Sequence, residues 1–147
     1  MADDTSNQLR IRLVTPERIL FEADASAVEL PSKSGYMEVL YGHAPLMAEL
    51  GAGDVTIHSG SAAGSDVMRY NVNWGFVEVL PNRVTILASD ALKPEEIDLK
   101  RAEQQLDRGL HQWKEAGESE EAYDEALRVI AEAEAKIASA GEVAKTH

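Results

Sequence analysis

Cysteine is absent from the chain, which excludes disulfides, zinc–thiolate sites and thiol catalysis and agrees with a reducing compartment. Cations are scarce: Lys+Arg total 14 against Asp+Glu 26, a formal net charge of −12. A surface of that sign repels nucleic acid and anionic lipid unless a basic patch is concealed in it, and the sequence shows no such patch. Long apolar runs are missing too. The longest stretch without a charged residue, Val55 to Ser65, is about half the span of a membrane helix and is interrupted by Ser and Gly. The acidic start, Met-Ala-Asp-Asp-Thr-Ser-Asn, lacks both the apolar heart of a signal peptide and the arginines of a transit peptide, so the chain reads as cytosolic. What is there is ordinary for a folded protein. The 147 residues are 44% hydrophobic and 27% charged, enough for one domain, or one small domain with an appendage.

Composition changes near Asp90 and divides the chain into residues 1–90 and 91–147. The first part breaks into short runs with β-branched and aromatic residues: Leu9 to Val14, Arg18 to Glu22, Ala25 to Leu30, Gly35 to Leu40, Leu46 to Leu50, Val55 to His58, Val67 to Val72, Phe76 to Leu80 and Val84 to Ala88. Several alternate apolar and polar residues, as in Ile11-Arg12-Leu13 and Val77-Glu78-Val79, which marks strands with one face in a core. Turn signals separate them, among them Thr15-Pro16, Gly42-His43-Ala44-Pro45, Gly60 to Gly64 and the hairpin turn Leu80-Pro81-Asn82-Arg83. With no helix-length pattern between them, these runs predict an antiparallel β-sandwich or barrel.

From Pro94 the period becomes helical. Leu99, Ala102, Leu106, Leu110 and Trp113 form one apolar stripe, interrupted by Gly109, with Asp98 as N-cap. Gly117 ends this helix and Ser119-Glu120-Glu121 opens another, lined by Tyr123, Leu127, Ile130, Ala133 and Ile137. Two helices of about 18 to 20 residues, joined tightly, must fold back as an antiparallel hairpin if they are to bury their stripes on each other; the alternative is that they bury them on something else.

Catalytic signals are weak. His43, His58, His111 and His147 are scattered and fit no metal pattern. There is no nucleophile elbow, phosphate-binding Gly-rich loop or dinucleotide fingerprint. Asp98 and Arg101, three apart, read most simply as a cap with a local ion pair. Asp124, Glu125, Glu132 and Glu134 read as a solvated face.

Along nearly its whole length the sequence resembles the epsilon subunit of the F-type rotary ATP synthase, called delta in mitochondria. The residues that carry this are Leu13-Val14-Thr15-Pro16-Glu17, Leu30-Pro31 followed by Gly35, and Val39-Leu40-Tyr41-Gly42-His43-Ala44-Pro45-Leu46. Gly75-Phe76-Val77-Glu78-Val79, Val84-Thr85-Ile86-Leu87-Ala88 and Ile97-Asp98-Leu99-Lys100-Arg101-Ala102 follow. The resemblance implies a sandwich of about ten strands, then two antiparallel helices, in a non-catalytic subunit of the central rotor. It implies that the sandwich, residues 1–90, binds the gamma subunit and the c-ring, and that the helical part, residues 91–147, meets the catalytic alpha/beta head and restrains ATP hydrolysis. The complex would place the chain peripherally on the cytoplasmic face of a bacterial membrane, without cofactor, metal or nucleic acid. Carried over by motif, Gly35, Tyr36, Met37 and Glu38 fall in a ring-facing loop, and Thr15, Gly42 and His43 face gamma.

Three departures stand out. Glu38 replaces a usual Gly, Tyr41 a usual Pro, and Asn73-Trp74 precede Gly-Phe where small residues are usual. Some bacterial members bind ATP in the hairpin, which maps here to Ile97, Asp98, Arg101 and Ala102, with Arg128 from the second helix. That helix offers only Arg128 and Lys136 among carboxylates, an unfavourable setting for a triphosphate. The competing readings are a stand-alone ATP-sensing module and a small metal-binding sandwich enzyme of the cupin type.

Overall fold

The computed structural model describes residues 7–59 and 66–146. The Gly60 to Gly64 turn and His147 lie outside the described residues. Two compact units divide the chain, Met1–Ala91 and Leu92–His147.

The first unit contains β1 (Leu9–Val14), β2 (Ile19–Ala25), β3 (Ala27–Ser32), β4 (Gly35–Leu40), β5 (Leu46–Leu50), β6 (Gly53–Ser59), β7 (Asp66–Leu80) and β8 (Arg83–Leu92). Period-two alternation does what it should: Leu9, Ile11 and Leu13 are fully buried while Arg10 and Arg12 face solvent. The strands run in the order β2-β1-β8-β7-β5-β3-β4, and β6 bridges β3 and β7. Each side of the resulting sandwich buries its inward residues in one core, in which Leu30, Val39, Ile57, Val77 and Ile86 are fully enclosed. Each such side chain contributes about 1.5–3 kcal/mol of transfer free energy.

Two features depart from expectation. The β1–β8 pair is parallel, with Arg10 opposite Arg83 and Val14 opposite Leu87, within an otherwise antiparallel arrangement among the described pairings. The sandwich has eight strands among the described residues, rather than about ten, and one reason is β7. The runs Val67 to Val72 and Phe76 to Leu80 form one 15-residue strand. Its first half pairs with β6 as far as Val72 opposite Gly53, and its second half pairs with β5 from Gly75 opposite Leu50. The strand changes partners at Trp74, which has φ 46°, and Gly75, which has φ 145°. A Cβ at Gly75 would fall on the Leu87 carbonyl oxygen, so only glycine lets β7 and β8 approach here.

The second unit opens with a 3-10 turn at Pro94–Glu96, closed by the Lys93 backbone N–H donating to Glu96 Oε1 at 2.9 Å. Asp98 then caps α1 (Leu99–Glu115), its Oδ1 accepting from the Arg101 backbone N–H at 3.2 Å. This is the predicted cap, and the bond to Asp98 comes from the Arg101 main chain. Ser119 Oγ accepts from the Ala122 N–H at 3.2 Å and caps α2 (Glu120–Thr146). The helices have 17 and 27 residues, so the second is longer than predicted, because its Ala- and Glu-rich sequence has no proline and carries Gly141 within the helix.

The buried seam between the helices also corrects the predicted stripe. Ala102 and Gly109 on α1 and Ala116 just past its end are buried, seven residues apart, and so are Ala126 and Ala133 on α2. Gly109 is the point of closest approach: a Cβ there would come within 2.9 Å of Ile130 Cγ1 and 3.1 Å of Val129 Cγ1. Small residues let the backbones draw together, and the larger apolar residues are displaced to the side.

Candidate functional site

The residues carried over by motif in the sandwich fall at its two ends. Thr15 closes the β1–β2 turn, where its N–H and Oγ1 both donate to the Arg18 carbonyl, at 3.0 and 3.3 Å. Gly35 begins β4 at φ 128° and pairs with Ser32. Gly42 and His43 lie beyond the other end of β4. The Gly42 N–H donates to the Pro81 carbonyl at 2.7 Å, which seats this turn beside the β7–β8 hairpin. The Arg10 N–H donates to the Asn82 carbonyl, so Gly42 and His43 sit where β1 begins and Thr15 sits where it ends. Those two ends are about 17 Å apart by strand rise.

The segment that the resemblance assigned to a ring-facing loop is a strand. Gly35, Tyr36, Met37 and Glu38 are paired residues of β4, in register with Ser32, Pro31, Leu30 and Glu29 of β3. The β-alternation sends Met37 toward the core, half-buried, and leaves Tyr36 and Glu38 exposed. Tyr36 covers Gly53, and its hydroxyl accepts the Asp54 N–H at 3.0 Å. Asp54 in turn accepts from Asn71 Nδ2 at 3.2 Å and faces Arg69 Nε at 3.9 Å. Glu38 stands directly across from Glu29, a like-charged cross-strand pair. His43 is fixed by its Nδ1 lying 2.7 Å from the Ala44 carbonyl.

Two surface features were not anticipated. A groove of about 310 Å³ opens at Thr15, lined by Val14, Thr15, Pro16, Leu87, Ala88 and Ser89. Beside it runs an exposed apolar row: Val14 is in register with Ile19 on β2 and with Leu87 on β8. Counting back from the two-residue turn at Pro81-Asn82 brings Phe76 opposite Leu87. Ile19, Leu87 and Phe76 are 46%, 50% and 52% exposed. For Leu87 and Phe76 the sequence signal was present, since outward strand positions carry apolar residues where alternation calls for polar ones; Ile19 is in phase with buried Ala25 and comes to this face through the irregularity between Leu13 and Val14. A second patch surrounds the β4–β5 corner, where Leu40, Tyr41, Leu46 and Met47 are all exposed.

In the second unit, Asp98 and Arg101 share the first turn of α1, Ile97 is half-buried just before it, and Ala102 lies in the helix seam. Arg128 is exposed on α2. Asp98 spends a carboxylate oxygen on the helix cap. Among the described residues no group of three or more His, Asp or Glu side chains is placed to hold a metal ion. No helix among them is long and apolar enough to cross a membrane.

The model of the delta/epsilon chain of ATP synthase, β-sandwich domain, matches residues 8–94, which is most of the first unit with all eight strands. This chain belongs to the ATP synthase epsilon chain family. The epsilon chain of Solibacter usitatus is 38% identical over 134 residues, covering 90% of this chain and 95% of that one. The chloroplastic epsilon chain of Porphyra purpurea is 33% identical over 132 residues, covering 90% and 95%. These alignments extend beyond the sandwich, so the likeness includes helical sequence. A chain in the cryo-EM structure of the Euglena gracilis mitochondrial ATP synthase superimposes with a TM-score of 0.72 at 20% identity, covering 95% of this chain and 82% of the other. That agreement concerns the fold.

Proposed function

We propose that this chain is an accessory, non-catalytic subunit of the central stalk of an ATP synthase, with no cofactor of its own. Its residues 1–90 bind the gamma subunit and the c-ring, and residues 91–147 form a regulatory arm that meets the catalytic alpha/beta head and restrains ATP hydrolysis. In a bacterium the assembled complex holds it on the cytoplasmic face of the membrane. The observation that carries the reading is the corner between β4 and β5. A sandwich with a complete core still exposes Leu40, Tyr41, Leu46 and Met47 within eight residues of chain around Gly42 and His43. Apolar surface gathered in that way suits a subunit interface better than a solvated face. Thr15, with its groove and the row Ile19, Leu87 and Phe76, supplies a second contact at the other end of the strands.

Met37 packs against the core, so a charge there tests folding as well as binding. Tyr41→Asp with His43→Ala addresses the exposed corner instead. The double variant should keep the denaturant midpoint of the parent and lose copurification with gamma from detergent-solubilised membranes. Normal copurification would move the interface elsewhere.

Nucleotide binding by Ile97, Asp98, Arg101, Ala102 and Arg128 is weak or absent in this reading. A triphosphate needs cations, and the two helices present Glu103, Asp107, Glu132 and Glu134 near the few they have. Calorimetric titration with ATP and magnesium should give little heat. Micromolar binding that Arg101→Ala abolishes would overturn this.

A further inference from the structure

The helix seam leaves one flank of the hairpin apolar. With about 3.6 residues per turn, Leu99, Leu106, Leu110 and Trp113 fall to one side of the Ala102–Gly109–Ala116 line. Tyr123, Leu127, Ile130 and Ile137 fall to one side of the Ala126–Ala133 line. The Trp113 and Tyr123 rings lie 6.4 Å apart, so the two rows border the same flank. Gln105 Nε2 meets Glu132 Oε2 at 3.2 Å on the opposite flank, which fixes the antiparallel register. Leu99, Leu110, Trp113, Tyr123 and Leu127 remain 42–43% exposed. For five large apolar residues on a two-helix unit, that is an unpartnered face.

Two acids interrupt the rows. Glu103 is four residues from Leu99, Glu134 is seven from Leu127, and both are exposed. The register set by Trp113 with Tyr123 and by Gln105 with Glu132 brings Glu103 level with Glu134. Neither row contains a cation. Along their border Asp107 and Glu120 are offset by Lys100 and Lys114, which leaves Glu103 and Glu134 as the charges within the rows themselves.

We propose that this flank seats a third helix, supplied by a partner protein, that is amphipathic and carries Lys or Arg part-way along its apolar face. The inference rests on the reading of the hairpin as an arm that meets a partner subunit, and it adds that the arm can engage while closed, because the flank exists only when α1 and α2 are together. Leu99 to Trp113 spans about 21 Å, which sets the partner helix at about four turns. Its apolar residues cover Leu110, Trp113, Tyr123 and Leu127, and its cation answers the two carboxylates, giving charge complementarity that rejects acidic helices.

The test uses the full-length chain and two synthetic four-turn helical peptides with a leucine face, one with lysine at the mid-point of that face and one with glutamate, each followed by fluorescence anisotropy. The lysine peptide should bind, and the glutamate peptide should bind at least tenfold more weakly. Glu103→Lys with Glu134→Lys should reverse the preference, while Glu125→Lys, on the other flank, should leave it unchanged. Equal binding of both peptides, or no binding by a chain with intact helical circular dichroism, would overturn the proposal. So would concentration-dependent dimerisation that Leu110→Ser abolishes, since it would assign the flank to a second copy. Peptide binding that follows the charge reversal, in a chain whose truncation after Leu92 leaves hydrolysis by the assembled enzyme unchanged, would support the docking face and sink the regulatory reading alone.

Discussion

Two glycines control how closely the backbone can approach, and they should respond differently to a methyl group. At Gly109 the nearest atoms to an added Cβ are the side-chain ends of Ile130 and Val129, which can rotate aside, although the Ile130 backbone nitrogen follows at 3.3 Å. Alanine also gains about 1 kcal/mol of helix propensity over glycine. Gly109→Ala should therefore be nearly neutral, whereas Gly109→Val overpacks the seam and should cost about 1–3 kcal/mol. Hydrogen exchange of the α1 and α2 amides reads both changes. At Gly75 the obstacle is the Leu87 carbonyl, and the φ of 145° is closed to other residues. Gly75→Ala cannot be relieved without breaking the β7–β8 approach, and it should cost at least about 2 kcal/mol, comparable with emptying the Ile86 site. A urea midpoint for the sandwich equal to that of the parent would refute this. The sequence pointed to Gly75 only as part of a motif and read Gly109 as an interruption. Periodicity identifies which residues lie on a face; it does not reveal that a face closes around its smallest member.

Elements were legible to the extent that one rule governed them. β1, β4 and β5 have the predicted ends, because alternation and a flanking turn signal coincide there. β7 was divided into the runs Val67 to Val72 and Phe76 to Leu80, yet in the fold the residues between them, Asn73-Trp74-Gly75, are where one strand passes from β6 to β5. Gly35 to Glu38 carried a family motif and were assigned to a loop, although the same residues satisfy strand alternation; their own pattern was the better guide. The helix cap was read correctly because Asp98 acts on the chain immediately after it. Asp98→Ala should therefore fray the first turn of α1 and cost about 1 kcal/mol, visible as faster exchange at Arg101 and Ala102 with the sandwich amides unaffected. Loss of protection across both helices would mean that the cap supports the whole hairpin.

For the molecule as a whole, the two units differ in what holds them. The sandwich core runs from Leu9 to Ala88 and consists largely of Leu, Ile and Val, with Ala91 packed against its margin. The fully buried part of the hairpin consists of alanines, Gly109 and Ser139, while Leu99, Leu110, Trp113, Tyr123 and Leu127 remain 42–43% exposed and Leu106, Val129, Ile130 and Ile137 are only half-buried. Burial of a methyl contributes far less than burial of a leucine, at about 25 cal/mol per Å², so the hairpin gains little from closing and can be shifted by a partner that favours one arrangement. A chain ending after Leu92 keeps all of β8 and the packing of Ala91, so it should unfold cooperatively with nearly the stability of the sandwich in the full chain. In membranes carrying that truncated subunit, assembly and proton-driven ATP synthesis should persist, and ATP hydrolysis should be at least as fast as with the intact chain. Failure to assemble would place an essential contact beyond Leu92. Hydrolysis that stayed the same in a fully assembled enzyme would leave the helices a structural role and remove the regulatory one.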